Sequence, residues 1–240
     1  MLYPADRPQR LWLEEYTRHF PTVESNNAFY RLPQRETFAV WRDRTPDGFV
    51  MAVKASRYLT HIKRLKDPAE PVGRLMEHAV GLGPRLGPVL LQLPPTLRTD
   101  AGLLDACLAC FPAGTLLAVE PRHDSWWTDN VRSVLERHGA ALCWADARAG
   151  PTTPLWRTTG WGYLRFHEGI SQPCPRYSKQ ALAAWAARIA QTWPDDAKVF
   201  AYFNNTPGGA AVLDATAFVR TVRAAGRTAI GPDRIDWNKP

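Results

Sequence analysis

The chain has 240 residues, 45% of them hydrophobic, and 30 Lys and Arg against 23 Asp and Glu give a formal net charge of +7. That length and apolar content support a folded core of one large α/β domain or two small ones and exclude a chain disordered by composition. The basic surplus favours anionic partners, but it is scattered, with one denser patch at 61–66 (HIKRLK), so charge alone supports nucleic-acid binding only weakly.

Neither a charged-then-apolar leader nor an apolar run of membrane-span length is present, so a cytoplasmic protein with no membrane partner is expected. Cys107 and Cys110 form a CxxC inside a helical pattern, with no second CxxC or His pair at zinc spacing. A reduced chain without structural zinc is the simpler reading.

In chain order, apolar spacing predicts a helix over 10–20 and a short strand over 22–26 that breaks into polar residues. A helix over 33–45 closes at Thr45-Pro46-Asp47-Gly48, and a strand over 49–55 follows. A helix over 71–86, a strand over 87–95 stopped by a double proline, and a helix over 100–111 come next. Residues 115–127 read TLLAVEPRHDSWW. The run 116–119 is continuously apolar, as in a parallel strand covered on both faces, and ends in Glu120, Pro121, Arg122, His123 and Asp124. A helix capped by Ser125 and running to about 138 is expected there. A strand over 140–145 ends at Asp146, 148–159 is irregular, and 161–167 is a strand. An alanine-rich helix over 178–193, a strand over 198–203, a helix over 209–225 and an irregular tail complete the chain.

Strands alternating with helices imply crossover units and a parallel sheet. Seven strands are expected, one short of the eight in a closed (β/α)8 barrel, and the absent one should precede the first helix. An open doubly wound sheet is the alternative. No GxGxxG follows a strand and no GxxxxGK[ST] occurs, so neither dinucleotide nor P-loop binding has support.

Six ordered motifs carry a family resemblance: TVESNNAFYRLP at 22–33, FVMAVKASRYLTHIKRL at 49–65, VLLQLPP at 89–95, LAVEPRHDSW at 117–126, GYLRFH at 162–167 and FNNTPGGAAVLDA at 203–215. On these the chain resembles the domain of unknown function 72, or YecE-like, family over nearly its whole length. The resemblance implies a single TIM-type barrel over 1–240 and supplies no activity. Members begin with a glycine-rich strand and a tryptophan-rich segment ahead of a Tyr-Pro. Here Tyr3-Pro4 lies at the start, so a barrel truncated at the N-terminus, lacking its first strand, is expected.

Polar residues collect at the ends of these strands, and in parallel α/β folds chemistry collects at the carboxyl ends. Glu24, Lys54, Glu120, Asp146 and His167 are the candidate catalytic residues; the acids suit general acid–base work, and His167 shares a strand side with Arg165. Asn26, His61, Gln92, Arg122, Arg165, Tyr177, Asn204 and Asn205 are candidate substrate-binding residues, with the arginines able to hold a phosphate or carboxylate bidentately. Tyr177 follows a loop that could act as a mobile lid. These groups are expected to meet in one mouth, giving an enzyme that performs acid–base chemistry on an anionic small molecule, with no cofactor identified.

Three alternatives stand beside it. His61, His123 and His167 with Glu24, Glu120 and Asp146 are metal-ligand types for a metal-dependent hydrolase or isomerase, but no HExxH-like spacing supports it. Lys54, isolated in an apolar strand, suits a Schiff base, although pairing with Glu24 or Glu120 is the simpler reading. Arg57, Tyr58, His61, Lys63, Arg64 and Lys66 interleave basic and aromatic groups, as a non-catalytic nucleic-acid binder would; a solvated helix face explains them more simply.

Overall fold

The computed structural model describes residues 2–3, 6–148 and 150–232. Met1 and Pro4, which bear on the expected truncation, lie outside the described residues, as does the end of the tail. The chain is α/β with mostly parallel strands and folds as two compact units.

One unit takes residues 22–143 and 153–159. Its five parallel strands lie side by side in chain order: β1 Thr22–Ser25, β2 Val50–Lys54, β3 Leu86–Gln92, β4 Leu117–Glu120 and β5 Ala141–Leu142. A crossover joins each pair. Helices α2 Asn27–Tyr30 and α3 Arg35–Asp43 join β1 to β2, and α4 Ala69–Ala79 joins β2 to β3. Helices α5 Ala101–Ala109 and α6 Asp129–Arg137 serve the next two connections. Strands β2, β3 and β4 are buried along nearly their whole length. Covering on both faces is why their sequences are unbroken apolar runs rather than alternating ones.

Helix α3 packs through fully buried Phe38 onto the 3-10 segment Val80–Arg85. A Cβ on Gly81 would lie 2.3 Å from the Arg35 carbonyl oxygen, so only glycine allows this approach. The free edge of β5 is closed from within the unit. Thr158 Oγ1 donates to Ala140 O (2.7 Å) and accepts from Leu142 N (2.9 Å), occupying groups that would otherwise recruit another strand.

The other unit takes residues up to 21, 144–152 and 160 onward. It holds α1 Trp12–Thr17, the sheet strands β6 Trp144–Ala147, β7 Gly150–Pro151, β8 Gly162–Glu168 and β9 Val199–Phe203, and the helices α7 Lys179–Thr192 and α8 Ala210–Ala224. The sheet order is β7-β6-β8-β9, with only β7 antiparallel. Its core is aromatic. Trp144 lies 4.5 Å from Trp193 and 6.2 Å from Trp185, and Phe166 stacks on Phe203 at 4.4 Å and meets Phe218 at 5.4 Å, centroid to centroid.

All seven expected strands are present, with corrections. The strand over 140–145 divides at Cys143: β5 pairs with β4, and β6 pairs with β8 in the other sheet. Asp146 consequently lies inside β6 rather than past a strand end. The irregular 148–159 segment contains β7. The first helix is shorter, spanning Trp12–Thr17 after a 3-10 turn at Gln9–Leu11. Ser125 caps no helix. His123 Nδ1 accepts Ser125 N–H to open the 3-10 turn Asp124–Trp126, and Thr128 Oγ1 accepts Val131 N–H to cap α6. Trp126 closes this extra turn. Its buried indole donates to Leu97 O at 2.7 Å, and α6 starts three residues further on at Asp129.

Candidate functional site

The five-stranded unit gathers seven of the expected residues at one end. Lys54, Gln92 and Glu120 are the last residues of three adjacent parallel strands, and the register sets Gln92 directly beside Glu120. Glu24 is the penultimate residue of β1, and Asn26 follows at the head of α2. Each strand is apolar where it is covered and polar where it emerges, so chain chemistry alone puts these groups at the carboxyl end.

Glu120 is 1% exposed and Lys54 and Gln92 are each 8% exposed. A buried carboxylate needs a partner. Arg122 supplies one, with Nη2 and Nε at 3.1 and 3.3 Å from Glu120 Oε1. The Lys54 ammonium sits 4.0 Å from the centre of the Phe29 ring, a cation–π contact. The Phe29 ring meets the His61 ring edge-on at 5.1 Å. Asn26 Oδ1 is buried with no hydrogen-bond partner among the described residues.

His61 is carried on a π-type turn, Tyr58–Ile62, closed by Lys63 N–H to Tyr58 O (2.7 Å). Such turns recur at functional positions. Arg64, Leu65 and Asp67 follow with positive φ (53°, 67° and 43°), a strained conformation for residues that are not glycine. Burial, then the positive charges of Lys54, Arg57 and Arg122, hold His61 below the usual imidazole value. Lys63 pairs with Asp67 (3.1 Å) and Arg64 donates to Thr96 O. Two of the basic residues read as a nucleic-acid patch therefore have local partners.

The four-stranded unit holds the other six. Asp146 is buried and accepts the Trp185 indole N–H at 2.7 Å. Tyr177 packs edge-on against Phe166 at 5.5 Å. Its hydroxyl accepts Glu168 N–H (3.2 Å) and hydrogen-bonds the Asp146 carboxylate; burial and that negative charge push its ionisation far up. Arg165 is buried in β8, with half-buried His167 two residues on. Asn204 bonds Phe166 O through its backbone (2.7 Å), and its buried Nδ2 has no hydrogen-bond partner among the described residues.

Asn205 Nδ2 donates to Pro175 O and to Asp214 Oδ2, both at 2.8 Å. Asp214, fully buried, also accepts Tyr177 N–H (2.9 Å) and Arg176 Nε (2.5 Å). The segment read as a mobile lid is thus held at Pro175 by Asn205 and at Arg176 and Tyr177 by Asp214 of α8. The sequence reading missed Asp214, although a single acid inside the apolar stretch AAVLDATAF is itself a signal, since a buried carboxylate requires donors. Phe29 and Thr60 were missed for lack of any comparable mark.

Among the described residues no three His, Cys, Asp or Glu side chains form a group able to hold a metal ion. No helix among them is long and apolar enough to cross a membrane.

The family described as "Protein of unknown function DUF72" matches residues 1–237. The chain belongs to the DUF72 family. Among its curated relatives, the UPF0759 protein YecE of Escherichia coli K12 is 38% identical over 116 residues, 48% of this chain and 43% of YecE. The matched stretch thus spans less than half of that relative. The UPF0759 protein YunF of Bacillus subtilis 168 is 25% identical over 244 residues, covering 87% of this chain and 85% of its own. A solved DUF72 family protein of Thermotoga maritima MSB8 superposes with a TM-score of 0.79 at 24% identity, covering 93% of both chains. One from Enterococcus faecalis V583 gives 0.75 at 20% identity, covering 93% of this chain and 92% of that one. At these identities the two structures support the fold.

Proposed function

We propose that this DUF72 chain is an enzyme that binds the phosphate or carboxylate of a small molecule at the carboxyl ends of β1–β4 and performs acid–base chemistry on it. The observation carrying this reading is geometric: Lys54, Gln92 and Glu120 end three adjacent parallel strands in buried positions, with Arg122 on Glu120 at 3.1 Å and Lys54 over the Phe29 ring at 4.0 Å, so ionisable groups converge where water is partly excluded. Lys54 and Arg122 hold the anion, Asn26 and Gln92 orient it, and Glu24 and Glu120 are its candidate proton carriers. Asp146 and His167 remain candidate catalytic groups, and Arg165, Tyr177 and Asn204 candidate contacts, within their own unit. Asn205 acts there as part of the Asp214 clamp.

We infer also that the parallel strands and crossover helices of each unit are those of a TIM-type (β/α) fold. The support is the run of parallel β–α crossovers in each unit and the likeness to solved family members; an experimental structure tests it.

Calorimetric titration with inorganic phosphate, sulfate and small carboxylates tests the binding reading. The variants Lys54→Met and Arg122→Met should each weaken binding roughly tenfold or more, since a hydrogen bond to a charged group contributes about 1.5–3 kcal/mol. No anion bound by the parent chain, or equal affinity in both variants, overturns it. Metal analysis and a salt-dependent gel shift on the same preparation test the metal-dependent and nucleic-acid alternatives.

A further inference from the structure

The hydrogen bonds around His61 fix which of its nitrogens carries a proton. His61 Nδ1 lies 2.9 Å from Thr60 Oγ1. The same hydroxyl lies 3.1 Å from the carbonyl oxygen of Ser56, four residues earlier. A carbonyl can only accept, and threonine in a helical turn commonly bonds back to the carbonyl at that spacing, so the single hydroxyl proton goes to Ser56. Thr60 is fully buried, which leaves the hydroxyl no water to turn to. Its oxygen therefore faces Nδ1 as an acceptor, and Nδ1 must be the N–H. A neutral imidazole has one N–H, so Nε2 carries the lone pair. Among the described residues no other hydrogen bond reaches the ring.

Three positive groups from three segments bear on the ring: Lys54 at the end of β2, Arg57 ahead of the π-type turn, and Arg122 after β4, the last also paired with the Glu120 carboxylate. From α2 the ring meets uncharged Phe29. Burial first, and then these same positive charges, disfavour protonation of the imidazole.

We propose that His61 is the proton acceptor of this site, held by Thr60 with Nδ1 protonated so that Nε2 takes a proton from the bound ligand. The assignment rests on the anion-site reading above. The substrate class is a phosphate- or carboxylate-bearing molecule with a removable O–H or C–H proton. In the step, that bond breaks, its electron pair stays on the ligand, and the proton forms an N–H bond at Nε2. The added negative charge falls beside Lys54, Arg57 and Arg122, and the imidazolium returns its proton to solvent or product.

Long-range proton–nitrogen NMR on the uniformly 15N-labelled full chain tests this without an activity assay, with His61→Gln assigning the resonances. At pH 7 the expected signature is a pyrrole-type Nδ1 and a pyridine-type Nε2, with a titration midpoint below 6.5. Sulfate, whose charge is constant over this range, should move the midpoint upward by partly neutralising the cations, and Lys54→Met should do the same. Thr60→Val should scramble the tautomer and Thr60→Ser should keep it. A parent ring protonated at Nε2, or a midpoint at or above 6.5, overturns the assignment. Sulfate binding beside an Nε2-protonated ring rejects His61 alone and leaves the anion reading standing; no response to sulfate at any of these residues rejects both.

Discussion

Replacing Asp214 by alanine removes one acceptor group that serves three donors: Arg176 Nε at 2.5 Å, Asn205 Nδ2 at 2.8 Å and the Tyr177 backbone N–H at 2.9 Å. The Tyr177 N–H and the Asn205 amide are buried, so water does not replace the lost carboxylate. Asn205 keeps its bond to Pro175 O, while the Tyr177 N–H keeps none of those described. Breaking a buried charge pair costs about 3–5 kcal/mol. Arg176 is about one-third exposed, which relieves part of its share and favours the lower end. An expected loss of about 3 kcal/mol corresponds to a fall of about 6–12 °C in thermal midpoint for a chain of this size. The assay is urea denaturation with amide hydrogen exchange. The midpoint should fall with an unchanged slope, and the Tyr177 amide should lose protection well beyond the change seen in β2 and β3. Asp214→Asn retains one acceptor and should fall between. A loss under 1 kcal/mol with Tyr177 exchange unaltered would refute the clamp.

Two further outcomes concern the Asp105 cluster and the buried cysteines. Asp105 on α5 accepts Arg137 Nη2 (2.8 Å) and lies 2.6 Å from His138 Nε2, and hydrogen bonds to these two partners hold its carboxyl below the usual 3.8. A depressed carboxylate contributes stability that is present above its ordinary value and lost as pH falls through the folded one. The stability difference between the parent and Asp105→Asn should therefore persist at pH 6 and close below about pH 4 in acid-range denaturation curves; a difference independent of pH removes the pairing. Burial pushes the Cys107 thiol up to about 12, and Cys143 is buried on the strand path between β5 and β6. Mass mapping after a brief thiol-reagent pulse at pH 8 should find Cys110 and Cys174 modified and Cys107 and Cys143 intact, and rapid labelling of Cys107 in the folded chain would contradict its burial.

The strand ends of the candidate site were legible because a strand covered on both faces has no room for polar side chains along its length. MAVK, VLLQ and LAVE each run apolar and then stop, which places Lys54, Gln92 and Glu120 at strand ends from the sequence alone. The same logic misplaced Asp146. Its strand divides at Cys143, the first part pairing with β4 and the second with β8, and no local period records such a change of partner. The cap at Ser125 failed for a related reason. Trp126 bonds Leu97 O and closes a 3-10 turn, and the helix starts later than a local reading of cap residues indicates.

By itself the sequence determined the alternation of strands and helices, the family, and the residues standing where strands end, because each follows from which side chains can be buried next to their own neighbours in the chain. Only the tertiary structure decided who faces whom. It set Phe29 under Lys54 and against the His61 ring, Arg122 near that ring, and Asp214 as the anchor of a segment that read as a loose lid. Those partnerships join residues whose separation along the chain carries no periodic mark, and they form only when packing brings the elements together.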